Sequence, residues 1–355
     1  MHGVILRGAL AVFVLSLSLA GAAPLTAAPP GGSYTVTPLV SDLPGLAHQD
    51  PNLVNGWGLA RSGTSPWWVA DNGQDKSSLY LGDGTVVALA PEVDGGPTGA
   101  VFAGIPGSFP VGTATDPNTL GPAAFIFDNE DGQVLAWRGG SAALVTADLH
   151  DGAIYKGLAI AQTGAGPRLY AADFHNARVN VFDGAWHDAT PAGSFVDPSL
   201  PAGYAPFGIQ TIGGHIFVSY AKQDEEAEDE LAGQGRGFVD EYDLAGNLVG
   251  HVEGHGQLDA PWGLALAPDG FGRFGGDLLV GNFGDGRINA YAEVEPGVFE
   301  HRGTLRDVDG GALTIDGLWA LEFGNTGNNG SADQLFFTAG PDDESHGLFG
   351  RITSG

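Results

Sequence analysis

The sequence predicts an all-β fold: a six-bladed β-propeller of four-stranded antiparallel blades, closed by an N-terminal strand, Tyr34 to Val40, that joins the last blade. Three observations predict it. A pattern of strands and turns recurs about every fifty residues, which is propeller spacing. Glycine is abundant beside a high apolar content, with 59 Gly and 43% hydrophobic residues. The last copy of the pattern lacks one strand, while "YTVTPLV" at the start has no unit of its own.

The repeat is plainest in "APWGLALAPDGFGRFGGDLLVGNFGDGRINAYA", Ala260 to Ala292. A Gly-Leu-Ala strand is followed by a gap, an apolar strand ending in Asp or Asn, a short turn and a third strand. "NGWGLARSGTSPWWVADNGQDKSSLYLGDG" and "YKGLAIAQTGAGPRLYAADFHNARVNVFDG" keep that order, as do three further segments starting near Thr98, Ala205 and Ile315. The anchor positions Gly58, Gly99, Gly157, Gly208, Gly263 and Ala320 are separated by 41, 58, 51, 55 and 57 residues. DG, AGN and similar turns supply the hairpins that make each unit four antiparallel strands. Crowding of inner strands near an axis favours glycine at the anchors. Aromatic residues in the third strands (Trp137, Phe182, Tyr242, Tyr291, Phe349) fall where neighbouring units press together. Trp57, Trp262 and Trp319, with Tyr155 and Phe207, are expected to form a layer near the axis. Pairing Tyr34 to Val40 with the last unit leaves no open sheet edge.

The chain has 355 residues and no cysteine, so disulfides and thiolate metal ligands are excluded. Acids outnumber bases 42 to 14, a formal charge of −28, which repels nucleic acid and anionic lipid. His2 and Arg7 precede the apolar run "ALAVFVLSLSLAGAA" and small residues to Ala28, the pattern of a signal peptide. Residues 1–28 are read as leader, with cleavage after Ala22, and 29–355 as a single propeller domain, secreted or periplasmic and monomeric. No second apolar stretch reaches ~18 residues, so no membrane span remains after the leader is removed.

In a four-stranded blade, the loop entering strand one and the loop joining strands two and three share a face. The first set holds His48, Asp50, Asn52, Asn55, Tyr155, Lys156, Tyr204 and Asp316. The second holds Asp71-Asn72, Asp128-Asn129-Glu130, Asp173 with His175, Lys222 with Asp224, Asn282 with Asp285, and Asp342-Asp343-Glu344 with His346. Such Asp and Asn residues also make turns by bonding local amides. Together, however, they predict an acidic axial mouth offered to a cation, a glycan or another small molecule, or an extracytoplasmic protein. Calcium suits a set of Asp, Asn and carbonyl oxygens. No EF-hand, HExxH pair, G-x-S-x-G elbow or phosphate loop occurs. "KQDEEAEDE", Lys222 to Glu230, is the best candidate for a lid on the mouth.

"DPNLVNGWGLA", "SFVDPSLPAGYAPFGIQ", "VSYAKQD", "LFFTAGPDDESHGLFG" and the Ala260 segment together resemble an uncharacterised family of exported bacterial proteins with six NHL-like propeller blades. The resemblance covers nearly all of the chain after the leader and implies the fold, but no reaction. The C-terminal Pro-Glu-Pro anchor of some relatives is absent from "GLFGRITSG". Two functions follow. One is a binding module without turnover. The other is a calcium-dependent hydrolase of the lactonase or esterase type, similar to gluconolactonase-type propellers, with Asp71, Asp173, Asn282 and Asp342 as metal ligands and His175 or His346 as general base. A redox propeller would need a quinone or metal cofactor, for which the sequence shows no ligand set.

Overall fold

Short apolar runs broken by glycine and Asp turns give strands almost throughout the computed structural model, which describes residues 32–252 and 256–355. The leader read over residues 1–28 lies outside the described residues. Strands β1 (Tyr34–Ser41) and β2 (His48–Gln49) precede a first sheet of β3 (Gly56–Ala60), β4 (Trp67–Asp71), β5 (Lys76–Tyr80) and β6 (Val86–Val87). The second sheet opens with β7 (Pro97–Phe102). A separate hairpin of β8 (Pro110–Thr113) and β9 (Asp116–Pro122) follows, then β10 (Phe125–Asn129), β11 (Gln133–Trp137) and β12 (Leu144–Asp148) complete the sheet. The third is β13 (Tyr155–Thr163), β14 (Gly166–Asp173) and β15 (Arg178–Asp183). The fourth is β16 (Tyr204–Ile212), β17 (His215–Lys222), β18 (Gly237–Tyr242) and β19 (Leu248–Val252). The fifth is β20 (Pro261–Leu266), β21 (Leu278–Asn282), β22 (Ile288–Glu295) and β23 (Val298–Thr304). Last come β24 (Leu318–Phe323), β25 (Leu335–Ala339) and β26 (Leu348–Ser354). Strand β1 pairs antiparallel with β26, from Tyr34 opposite Ser354 to Ser41 opposite Leu348.

The third sheet departs from the four-strand expectation. After β15 only a bridge remains, Phe182 opposite Asp188. Two backbone bonds persist, Asp183 N to His187 O and Ala189 N to Val181 O, and side chains take over beyond them: Asp188 accepts from Thr190 N, and the Thr190 hydroxyl accepts from Val181 N. Pro191, which has no amide hydrogen to donate, prevents continuation. Strands β19 and β23 add a parallel contact, His251 opposite Val298 and Val252 opposite Phe299, that joins the fourth and fifth sheets at their outer edges.

The inner strands share a device. Register shifts fall between Gly56 and Leu59, Tyr155 and Leu158, Pro206 and Ile209, and Leu318 and Leu321, so each inner strand bulges at its anchor. A side chain of the adjacent strand takes up an anchor amide: Gly208 N donates to Ser219 Oγ (2.9 Å), Ala320 N to Thr338 Oγ1 (3.1 Å) and Gly99 N to Asp128 Oδ1 (2.6 Å). The bulges press against the next inner strand. A Cβ on Gly208 would lie 2.1 Å from Trp262 O, and one on Gly263 2.5 Å from Trp319 O. Gly208→Ala should therefore cost about 1–3 kcal/mol by overpacking. Gly63→Ala, which meets open space, should stay within about 0.5 kcal/mol of the parent. Denaturant melts of both variants check this; equal midpoints would remove crowding as the reason for the anchors.

Apolar side chains fill the spaces between successive sheets. Trp68 stacks on Phe125 at 4.1 Å between the first and second, and Phe217 meets Phe299 edge-on at 5.7 Å between the fourth and fifth. Phe182, Tyr242, Tyr291 and Phe349 are fully buried in these layers, and Trp137 is partly buried against Trp68. Among the described residues no helix is long and apolar enough to cross a membrane.

Candidate functional site

A layer of aromatic rings lies where the inner strands meet. Trp57 stacks on Trp319 at 3.5 Å, Phe283 stacks on the other side of Trp319 at 4.1 Å, and Phe207, Phe174 and Trp262 pack around them. Tyr155 is not part of this layer. It is buried between the second and third sheets, with its hydroxyl on Asn180 Oδ1 at 3.3 Å.

On this layer rests a polar network built from every part of the chain. Lys156, on β13, has a side chain only 2% exposed, with its ammonium 5.3 Å from the Trp57 ring centre. Its Nζ donates to Glu130 Oε1 at 2.5 Å and to Asp229 Oδ1 at 3.1 Å. Glu130 Oε2 accepts from Asn72 Nδ2 (2.9 Å), and Asn72 Oδ1 accepts from Asn55 Nδ2 (3.2 Å). Asn55 also donates to Glu344 Oε2 (2.5 Å) and accepts from Trp319 Nε1 (2.9 Å). Trp262 Nε1 closes the set on the Lys156 carbonyl at 2.7 Å.

Local backbone explains how these groups reach one point. Asn55 has φ +49°, and Asp342, Asp343 and Glu344 have φ +60°, +51° and +62°, a run of left-handed non-glycine residues that turns Glu344 toward Asn55. Each such residue costs roughly 1–2 kcal/mol, and this kind of strain clusters at functional sites. The loop after β17 folds back on itself, Gln223 opposite Glu230, and is fastened to the third sheet. Gln223 Nε2 donates to Phe174 O (2.6 Å), and His175 Nδ1 lies 3.2 Å from Ala227 O.

Burial works to lower the Lys156 pKa, but the carboxylates around it, Glu130 foremost with Asp229 and Glu230, together outweigh burial and hold the group above the ordinary lysine range. Burial pushes Glu230 up to about 8, against the pull of Lys156, and also raises Glu344. Two carboxyl groups thus retain protons more readily beside one ammonium.

Of the residues expected at the mouth, the structure brings together Asn55, Asn72, Glu130, Lys156 and Glu344. Others are committed elsewhere. Asp50 accepts from Tyr80 OH and from Asn52. Asp71 is fully buried against Ser78, and burial raises its pKa well above the carboxylate range. Asp173 takes Asn176 and the Arg178 guanidinium, and Asn282 donates to Gln257 O and Asp285. Lys222 lies over the Tyr204 ring, and Asp224 accepts from Glu228 N. Asp316 accepts from Asp342 N, Asp343 is exposed, and His48 sits on β2 at the outer edge of its sheet. His346 Nδ1 contacts Asp42 Oδ2 at 2.7 Å, and its Nε2 is 4.0 Å from Asp342. Asp71, Asp173 and Asp342 therefore do not converge. Among the described residues, the metal-ligating side chains that do converge are Asp197, Asp240 and His251, whose ligand atoms lie within 4.8 Å of one another.

Asp229 and Glu230 complete the network from the Lys222 to Glu230 run that the sequence offers as a lid rather than as ligand-binding side chains. In the other loops the contact to the axis comes one or two positions beyond the first acid, at Asn72, Glu130 and Glu344. Asp71 and Asp128 bond within their own sheets, and Asn72 and Glu130 beyond them reach the axis.

Antiparallel sheets with bulged inner strands packed about a shared aromatic layer define a β-propeller. No family model matches the chain. Uncharacterized protein R648 of Acanthamoeba polyphaga mimivirus is 32% identical over 328 residues, covering 86% of this chain and 76% of the viral protein. Uncharacterized protein L690 of the same virus is 29% identical over 335 residues, covering 86% and 82%. The chain belongs to the family of R648. Both relatives are viral, so they lend no support to a bacterial source. The soluble aldose sugar dehydrogenase of Escherichia coli superposes with a TM-score of 0.56 at 13% identity, over 91% of this chain and 100% of that one. A Bacteroides thetaiotaomicron protein of unknown function gives 0.54 at 11%, over 91% and 76%. At these identities the likeness concerns the fold alone.

Proposed function

We propose that this chain is an exported, single-domain, six-bladed propeller closed by β1, and that it binds a cationic ligand at its axial mouth without turning it over. Closure is supported by the β1 to β26 ladder and by the order of inner-strand contacts, β3 to β7, β13, β16, β20, β24 and back to β3. The observation that carries the functional reading is the charge around Lys156. One ammonium touches Glu130 and Asp229 and feels Glu230, while Glu344 stands within the same field. A ligand that brings a second positive group can replace the protons that burial keeps on Glu230 and Glu344. The net charge of −28 steers such ligands inward. An ammonium- or guanidinium-bearing small molecule, or the basic segment of an extracytoplasmic protein, has this chemistry.

Geometry gives the calcium hydrolase less support. Asp71, Asp173 and Asn282 are tied to partners in their own sheets or turns, Asp342 is exposed, and in the mouth network the place between the carboxylates is filled by Lys156 itself. These four residues do not fit calcium as a set.

Calorimetric titration with a short diguanidine, whose charge does not titrate near neutrality, tests the proposal. Affinity should rise severalfold from pH 6 to pH 9 as Glu230 ionises, and Glu344→Gln should weaken it. No heat at millimolar ligand, a pH-independent affinity, or tighter binding of calcium than of the diguanidine would reject it.

A further inference from the structure

We propose a second binding site at the opposite end of the axis, a pocket for a small α-amino acid with an apolar side chain, held between Arg61 and Glu322. It is independent of the axial mouth. Asn55 enters β3 at the mouth and Arg61 leaves it at the other end, an extended run of about 20 Å.

A depression of about 310 Å³ opens there. That lies in the range of small-molecule pockets, ~300–1,000 Å³, which are largely apolar with a few convergent polar groups. Leu264 and Leu266 of β20 and Leu321 and Phe323 of β24 form its apolar wall, and Arg61, Gln210 and Glu322 face it. Arg61 Nε donates to Phe323 O (2.9 Å) and lies 3.3 Å from Glu322 Oε1, while its guanidinium sits 5.4 Å from the Trp67 ring centre. These contacts fix the guanidinium plane through its inner nitrogen and leave both terminal Nη groups without a hydrogen-bond partner among the described residues. Among the described residues Glu322 Oε2 and Gln210 Nε2 are also without one; the contacts of these two side chains run through Glu322 Oε1 and Gln210 Oε1. The side chains of Arg61 and Glu322 are 20% and 25% exposed, so a ligand can reach them.

Each free group has one complement. Two Nη groups in a fixed fork match the two oxygens of a carboxylate. Glu322 Oε2 accepts from an ammonium, and Gln210 Nε2 is a further donor to the carboxylate. Burial pushes the Glu322 carboxyl up to about 7 against the pull of Arg61, so above that pH the pair carries no net charge, which favours a zwitterion over a simple anion or cation. A channel of about 30 Å³, lined by Gln210, Leu264, Leu321 and Trp262, continues from the floor. It has room for a water molecule rather than a side chain, so the ligand's apolar part lies along the leucines.

Titration of the whole chain with L-leucine at about pH 8.5, where Glu322 is ionised, tests this, with 4-methylpentanoate, 3-methylbutylamine and D-glucose as comparisons. L-Leucine should bind at millimolar concentration or better, and the two single-ended analogues about tenfold or more weaker, since each forfeits a charged hydrogen-bonded contact. Arg61→Gln should lose a similar factor. Leu266 is 50% exposed at the rim, so Leu266→Trp fills the opening while leaving the core intact, and binding should vanish in a protein with an unchanged melt. Absence of L-leucine binding, unchanged affinity in Leu266→Trp, equal binding of the analogues, or tighter binding of glucose would overturn the proposal.

Discussion

Glu130→Gln lowers the unfolding free energy by about 2–3 kcal/mol, and adding Lys156→Met to that variant restores part of the loss. Removing one partner of a buried ion pair typically costs ~3–5 kcal/mol, because the other charge stays buried and uncompensated. Lys156 is that charge, with its side chain 2% exposed. The lower figure applies because Asp229, 74% exposed at its side chain, remains within 3.1 Å. Met keeps the length and apolar contact over Trp57 without the charge. A double-mutant cycle by urea denaturation should give a coupling above about 1 kcal/mol. Additive losses would mean that Glu130 and Lys156 do not stabilise one another.

Asp128→Asn should flatten the pH dependence of stability. Burial pushes the folded Asp128 up to about 7, whereas an unfolded aspartate titrates near 3.8. Between those values the folded chain holds a proton that the unfolded chain has released, so stability falls as pH rises through the window. The penalty is absent below the unfolded value, complete above the folded one, and on the order of 4 kcal/mol for a side chain with no exposure. Glu230, raised to about 8, and Asp240, raised to about 6, tilt the parent the same way. The comparison is therefore between slopes. Asn retains the acceptor for Gly99 N but cannot ionise. Melts from pH 4 to pH 9 should converge at the acid end and separate in favour of the variant at the alkaline end, relative to their acid values. Parallel profiles would show that Asp128 does not titrate in this range.

Much of the architecture is local and therefore legible in the sequence. The anchor glycines mark inner strands because bulged backbones approach the neighbouring strand too closely for a Cβ, and spacing alone reveals them. The longest step, 58 residues from Gly99 to Gly157, contains the inserted hairpin of β8 and β9. The reduced fourth strand after β15 was hidden, because Asp188 and Thr190 read as ordinary turn residues. The site was legible only in part. Asn55, Asn72, Glu130, Lys156 and Glu344 lie where loop geometry places them, but an acid that bonds its own sheet and an acid that reaches the axis look alike in sequence. Whether each turns inward to bond its own sheet or outward to the axis depends on partners hundreds of residues away, as with Asn55 and Glu344.

The parallel ladder between β19 and β23 ties the margins of the fourth and fifth sheets, as the parallel bridge from Glu92 to Ala142 ties those of the first and second. The fourth and fifth touch at the hub through Gly208 against Trp262 and again at the rim, where Gly250 admits the Gly297 carbonyl with no room for a Cβ. A wedge stitched along both margins cannot swing open, so these sheets behave as one stiff sector. Any breathing of the molecule, whether to admit a ligand or to begin unfolding, is left to the junctions that lack the outer seam.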